Sequence, residues 1–141
     1  MKKTISLLLI LGLICRAGAL YAQKVDMPMN RLEELLCRKW TASYALMGDM
    51  RIDPKPGARQ IDFEFKNDKT LLMTSNPQGK TAKGTWSYDS EKKVISLIIN
   101  GVRNSQIISL KDDELVMLVD TKKATPDDPA PIRMVYKIKG T

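Results

Sequence analysis

The feature that most constrains the fold of this chain is an alternation of apolar and polar residues with a period of two. Ile61, Phe63 and Phe65 are separated by Asp62 and Glu64, which predicts a strand with one buried and one exposed face. Similar stretches recur along the chain and predict eight strands. They are residues 39–47, 58–66, 69–75, 82–88, 92–99, 104–110, 113–121 and 132–139. The chain is therefore expected to be all-β.

A short amphipathic helix is predicted just before the first strand. Leu32 and Leu35 recur at helical spacing, which indicates a helix over residues 31–37 with one apolar stripe. Asn30, followed three residues later by Glu33, is typical of a capping box. Two helical turns are unstable in isolation, so the apolar stripe must dock on the sheet.

The connections between the predicted strands alternate in length. Asn67-Asp68, Asp89-Ser90 and Asp112-Asp113 supply the residues that tight turns require. In an up-and-down meander alternate connections lie at opposite ends, so the tight turns share one end and the longer loops share the other. The longer loops are residues 48–57, 76–81, 100–103 and 122–131.

Eight strands can close into a barrel, which removes the exposed edges of the sheet. The interior of such a barrel is either filled by side chains or holds one small ligand. We therefore expect an eight-stranded antiparallel up-and-down β-barrel, closed at one end by the short N-terminal helix and able to open at the other. A solid core without a cavity remains the alternative.

Strand alternation also assigns the side chains of the barrel interior. The candidates for the interior and for ligand contact are Trp40, Tyr44, Leu46, Phe63, Phe65, Leu71, Met73, Trp86, Tyr88, Met117, Met134 and Tyr136. Trp40, Trp86 and Tyr88 are expected at the floor, beside the helix. Methionine side chains suit a pocket that adapts its shape.

Basic residues slightly outnumber acidic residues in the longer loops. The basic candidates at the mouth are Arg51, Lys55, Lys80, Arg103, Lys122 and Lys123. The acidic ones are Asp49, Asp53, Asp127 and Asp128. This excess favours a ligand with an anionic head group such as a carboxylate.

The first 22 residues are typical of a secretory signal peptide. Lys2 and Lys3 precede a short apolar run, and Ala19 and Ala22 offer alternative cleavage sites. The apolar run is too short to span a bilayer, so no membrane anchor is expected after cleavage. The bulky Ile14 before Cys15 disfavours lipidation of that cysteine. The expected mature domain is residues 23–141, exported to the periplasm or the medium.

Composition excludes several classes of function. The chain has no histidine, which removes His-based catalytic triads and the commonest zinc ligand. Loss of Lys2, Lys3 and Arg16 with the signal peptide lowers the net charge from +7 to +4, and no basic stripe with aromatic residues indicates nucleic-acid binding. The carboxylate clusters Asp112-Asp113-Glu114 and Asp127-Asp128 lie in predicted turns, where they are solvated rather than buried together as acid–base chemistry requires. We expect neither an enzyme nor a cofactor or metal site.

Several residues together resemble a known family. Leu36, Trp40 at the start of the first strand, the Gly84-Thr85-Trp86 step and the eight-strand meander are similar to a bacterial lipocalin-like domain, of the small secreted type common in Bacteroidota. The resemblance covers about residues 30–139, with Arg38 in place of the usual glycine two residues before the first Trp. It implies an eight-stranded barrel that binds a small apolar molecule.

Two functions are compatible with this fold. The first is binding of a small apolar or amphipathic ligand in the barrel. The second is protein binding, as in an exported protease inhibitor with residues 23–29 as a mobile arm. Strands 92–99 and 104–110 are apolar on both faces, because Ile95 and Leu97 oppose Val94 and Ile98. Their outer face is a candidate surface for a dimer or a protein partner.

Export is directly testable. The exported protein is expected to begin at Gln23, because Ala22 offers the small residue that signal peptidases require. Intact-mass measurement of the exported protein checks this. A lipid adduct on Cys15 or retention of residues 1–22 would contradict it.

Overall fold

The computed structural model describes residues 24–119 and 131–139. The predicted signal peptide and residues 122–130 of the predicted loop 122–131 lie outside the described residues. Helix α1 spans Met29–Leu36, and the strands are β1 Lys39–Met47, β2 Met50–Ile52, β3 Gln60–Phe65, β4 Thr70–Asn76, β5 Lys80–Asp89, β6 Val94–Ile99, β7 Val102–Leu110, β8 Glu114–Val119 and β9 Ile132–Ile138. In the part of the chain that is described, no helix has the length and apolar composition needed to cross a membrane.

The strands form a closed antiparallel barrel. From β3 to β9 each strand pairs with the next along the chain, and β1 pairs with both β3 and β9. Trp40 is opposite Phe63 on one side and Ile138 on the other. At the level of Trp40 the barrel therefore has eight strands and no open edge. The predicted all-β barrel is confirmed. The short strand β2 was not predicted; it forms a hairpin with the far end of β1.

Helix α1 closes one end of the barrel, as predicted, but begins differently. It starts at Met29 rather than residue 31, and the N-cap residue before it, Pro28, makes no side-chain capping bond. The predicted capping box is therefore wrong. The Glu33 carboxylate instead accepts a hydrogen bond from the Lys69 ammonium group on the β3–β4 turn, an interaction between segments that local spacing does not reveal.

The N-terminal segment 24–36 contacts all three tight turns at one end of the barrel, which we call the closed end. The backbone N–H of Val25 donates to the carbonyl of Lys93 at 2.8 Å. The Arg31 guanidinium is 2.9 Å from the Asp112 carboxylate, and Glu33 binds the β3–β4 turn. Because this segment spans all three turns, the closed end has a lid made from the protein's own chain.

The opposite end, which we call the open end, differs from the sequence prediction in loop length. The β4–β5 connection is residues 77–79 and the β6–β7 connection is residues 100–101, both shorter than predicted. The strands run further than expected because polar residues continue the ladder, as in the pair Ser75 and Lys80. Asn100 and Gly101 both have positive φ, 53° and 75°, which suits a two-residue hairpin turn.

The predicted facing of β3 is confirmed. Phe63 is 5% exposed and belongs to the core, whereas Glu64 lies on the other face opposite Lys39 and Leu72. The Phe63 ring contacts those of Phe65 and Tyr136, with centroids 5.9 and 5.5 Å away. Phe63 therefore joins two strands of the barrel wall through the interior.

This facing predicts unequal effects for two neighbouring substitutions. Phe63→Ala is expected to lower the free energy of unfolding by about 3–5 kcal/mol, because it removes a buried ring. Glu64→Ala is expected to change it by no more than roughly 0.5 kcal/mol, as an outward substitution. Denaturant unfolding of both variants measures the difference, and equal effects would contradict the assigned register.

Candidate functional site

The half of the barrel beside the closed end is filled by side chains. Trp40 and Trp86 are 0% and 2% exposed. Their indole N–H groups donate to backbone carbonyls, Trp40 to Leu36 and Trp86 to Lys66, both at 3.0 Å. Each indole therefore has its polar atom satisfied by the chain itself, and both rings form a packed floor.

Above this floor, the half of the barrel beside the open end contains a cavity of about 540 Å³. We call it the interior cavity. Its lining comes from six of the barrel strands and the β6–β7 turn, and consists of Ile61, Phe63, Met73, Ile99, Asn100, Val102, Ser105, Met117, Val119 and Tyr136. The volume lies within the range of small-molecule binding sites.

The walls of the interior cavity are apolar except for three neutral groups. These are the side chains of Asn100, Ser105 and Tyr136. Burial, with a smaller contribution from the charge of Asp62, raises the pKa of Tyr136, so its phenol is neutral at physiological pH. Among the described residues no charged side chain lines this cavity. It is therefore suited to the apolar part of a ligand.

The structure divides the predicted interior residues into four groups. Four of them line the interior cavity: Phe63, Met73, Met117 and Tyr136. Trp40, Phe65, Leu71 and Trp86 belong to the packed core, and Tyr88 is partly buried against it. Met134 packs against the core and lines a second pocket nearby.

The two remaining predicted interior residues, Tyr44 and Leu46, lie on the outer face instead. A β-bulge between Ala42 and Tyr44 shifts the register of β1. Beyond it Tyr44 is opposite Val135, and Leu46 is opposite Arg133, whereas Ala45 is opposite the inward Met134. One extra residue moves every later side chain to the other face of the sheet. The prediction that Tyr44 and Leu46 face the interior is therefore wrong.

A second cavity, which we call the side pocket, lies where β1 and β3 separate. Their pairing ends at Thr41 and Asp62, and β1 then pairs with β2 instead. The resulting space is about 210 Å³. Its lining is Ala42, Ser43, Tyr44, Ala45, Ile52, Asp53, Pro54, Ala58, Arg59, Gln60 and Met134.

Arg59 is the functional candidate that the sequence analysis missed. Its Nε donates a hydrogen bond to Ser75 Oγ at 2.6 Å, and Ser75 is 2% exposed. Ser75 faces inward because it continues the series of Leu71 and Met73 along β4. In the sequence, the position of Ser75 on the inward face of a predicted strand already indicated that a polar group lies in the interior.

The predicted mouth charges do not converge on one site. Arg51 is stacked on the Tyr44 ring, 3.9 Å from its centroid, and is paired with Asp53, so it lies on the outer face. Arg103 is opposite Ile98 on the outer face, and Lys55 is exposed in the loop after β2.

Lys80 differs from these residues, because it is opposite the inward Ser75. Lys122 and Lys123 lie outside the described residues.

Apolar side chains are unusually exposed around the open end. Met50 and Ile52 on β2 are 58% and 40% exposed, and Val102 at the start of β7 is 43% exposed. Ile52 lines the side pocket and Val102 lines the interior cavity. An apolar ligand approaching the barrel would therefore meet apolar surface before it enters.

Other candidate chemistry is not supported by the described residues. No group of three Cys, Asp or Glu side chains within residues 24–119 and 131–139 is arranged to hold a metal ion. Cys37 is half-buried, and burial, followed by the charge of Glu33, raises the pKa of its thiol. A raised pKa disfavours the thiolate, which is the reactive form.

Comparison of the chain with protein-family models, with curated proteins and with solved structures finds no match.

Proposed function

We propose that this protein is an exported binding protein that holds a small apolar or amphipathic molecule in the interior cavity. The observation that carries the proposal is the cavity of about 540 Å³ between apolar inner faces of the barrel. Protein interiors are normally close-packed, and an unfilled apolar space forfeits the contacts that its walls would otherwise make. A ligand of matching chemistry regains them.

The division of the barrel into a packed half and a hollow half supports this proposal. Trp40 and Trp86 form a complete floor without a ligand, so the fold does not need a bound molecule for its core. The cavity begins above them, where Met73 and Met117 contribute flexible side chains to its walls. Such side chains adapt to ligands of different shape.

The cavity chemistry favours binding over catalysis. The described lining offers a phenol, an amide and a hydroxyl, but no carboxylate pair and no nucleophile with an adjacent base. Acid–base chemistry requires groups whose pKa values are poised for proton transfer, and the Tyr136 pKa is moved away from that range. We accordingly propose a binding role without a cofactor. Membership of the secreted lipocalin-like proteins is part of the same proposal.

The alternative role as an inhibitor with a mobile N-terminal arm receives less support. Val25 is buried, and its carbonyl accepts a hydrogen bond from the Tyr88 hydroxyl at 2.6 Å. The neighbouring Asp26 is paired with Lys93. From Lys24 onward the segment is therefore bound to its own barrel. The outer face of β6 and β7, with half-buried Val94 and Ile98, stays a proposed partner surface.

Binding of a series of saturated fatty acids, measured by calorimetry with the mature protein, tests the proposal. The affinity is expected to rise by up to about 0.8 kcal/mol for each added CH₂ and to stop rising when the cavity is full. Bound ligand should also raise the melting temperature. If no member of the series binds or raises the melting temperature, the interior cavity is not a ligand site.

A pair of variants on β4 locates the binding site. Met73→Trp places a larger ring in the interior cavity and is expected to reduce affinity at least about tenfold, because it occupies the ligand's space. Leu72→Trp makes the same kind of change on the outer face, opposite Glu64, and should leave affinity within about twofold. Melting curves confirm that both variants fold. Equal affinities would place the ligand elsewhere.

A further inference from the structure

A cationic side chain lines the side pocket, whereas no charged side chain among the described residues lines the interior cavity. Arg59 lines the side pocket together with the apolar side chains of Ala42, Ala45, Ile52 and Met134. The guanidinium is not simply solvated, because its Nε is held by the buried Ser75 hydroxyl. Arg59 is itself an exposed residue, so the side pocket combines a cationic rim with these apolar side chains.

Arg59 differs in its partners from four other arginines of the described residues. Arg31 and Arg51 bind carboxylates, and Arg38 and Arg133 donate to backbone carbonyls. Within residues 24–119 and 131–139, no carboxylate lies within ion-pair distance of Arg59. Its Nε donates a hydrogen bond to a neutral hydroxyl rather than to a carboxylate.

The charges around Arg59 favour an anion. Lys80 is opposite Ser75 across the β4–β5 ladder, so it lies on the same inner face at the rim of the barrel. The acidic Asp53 also lines the side pocket, but its Oδ1 accepts from Arg51, which compensates its charge. The inner rim at this point is therefore net positive over its described residues.

The two cavities are adjacent in the barrel wall. On β9, Met134 lines the side pocket and Tyr136, the next inward residue, lines the interior cavity. The two cavities therefore lie beside successive inward residues of the same strand.

We infer that Arg59, oriented by Ser75, binds the carboxylate head group of an amphipathic ligand in the side pocket while the apolar chain fills the interior cavity. The inference rests on the proposed function, since it assumes that the interior cavity holds a ligand. A guanidinium presents two parallel N–H groups that match the two oxygens of a carboxylate. Ser75 is a positioning residue, because it acts through the guanidinium rather than on the ligand.

The test compares a saturated fatty acid with the primary alcohol of the same chain length, both measured by calorimetry at neutral pH. The wild-type protein is expected to bind the acid at least about tenfold more tightly, because a charged hydrogen-bonded pair forms only with the acid. The affinity for the acid, but not for the alcohol, should fall as salt is added.

Arg59→Met is expected to remove the preference, lowering affinity for the acid at least about tenfold and leaving the alcohol within about twofold. Arg103→Met is the matched control, because it removes the same charge from an exposed outer position near the open end. It should leave both affinities unchanged. Arg59→Lys keeps the charge without the planar fork and should retain part of the preference.

The Ser75→Ala variant distinguishes a role of Ser75 in positioning the Arg59 guanidinium from a role in packing alone. It should weaken acid binding several-fold by freeing the guanidinium, while alcohol binding and its dependence on chain length stay unchanged. A purely structural role would reduce both equally and would overturn the positioning role of Ser75.

The remaining outcomes separate the two proposals. If both ligands bind with equal affinity and Arg59→Met changes neither, the inference about Arg59 is wrong and the apolar binding function stands. If neither ligand binds the wild-type protein, the proposed function fails and the inference fails with it.

Discussion

The docking of the N-terminal segment on the closed end is the interaction on which the rest of the structure depends. Eight strands alone would enclose a tube open at both ends. Val25 and the apolar stripe of α1 close one of these ends, and the Leu36 carbonyl receives the indole N–H of Trp40. Burial of these side chains supplies the packed core, so the other half of the barrel can stay hollow without loss of the fold.

The open end of the barrel includes a departure from regular strand pairing between β1 and β3. Because β1 leaves β3 after Thr41, the barrel wall opens and β2 lies beside the gap. The side pocket forms in this gap, next to the interior cavity. The same region brings Arg59 to Ser75. The interruption in the barrel wall thus brings polar side chains to the edge of the barrel interior. An unbroken series of apolar inward residues would not do so.

Much of the fold could be predicted because it rests on local periodicity. Alternation identified Phe63 as inward and Glu64 as outward, and the turn residues placed the tight connections at the closed end. The errors have specific physical causes. The bulge after Ala42 reversed the facing of Tyr44 and Leu46, and a bulge arises from the balance of packing on both sides of the strand, which its own sequence does not display.

The sequence by itself determined the number of strands in the barrel, the position of the helix and most of the apolar interior, because each depends on spacings of a few residues. Only the tertiary structure decided which part of that interior is filled by side chains and which basic residues lie on the inward face. Arg59 and Ser75 are 16 positions apart, and β3 and β4 bring them together by antiparallel pairing. A hydrogen bond between distant positions depends on register, and register is set by the closing of the whole barrel.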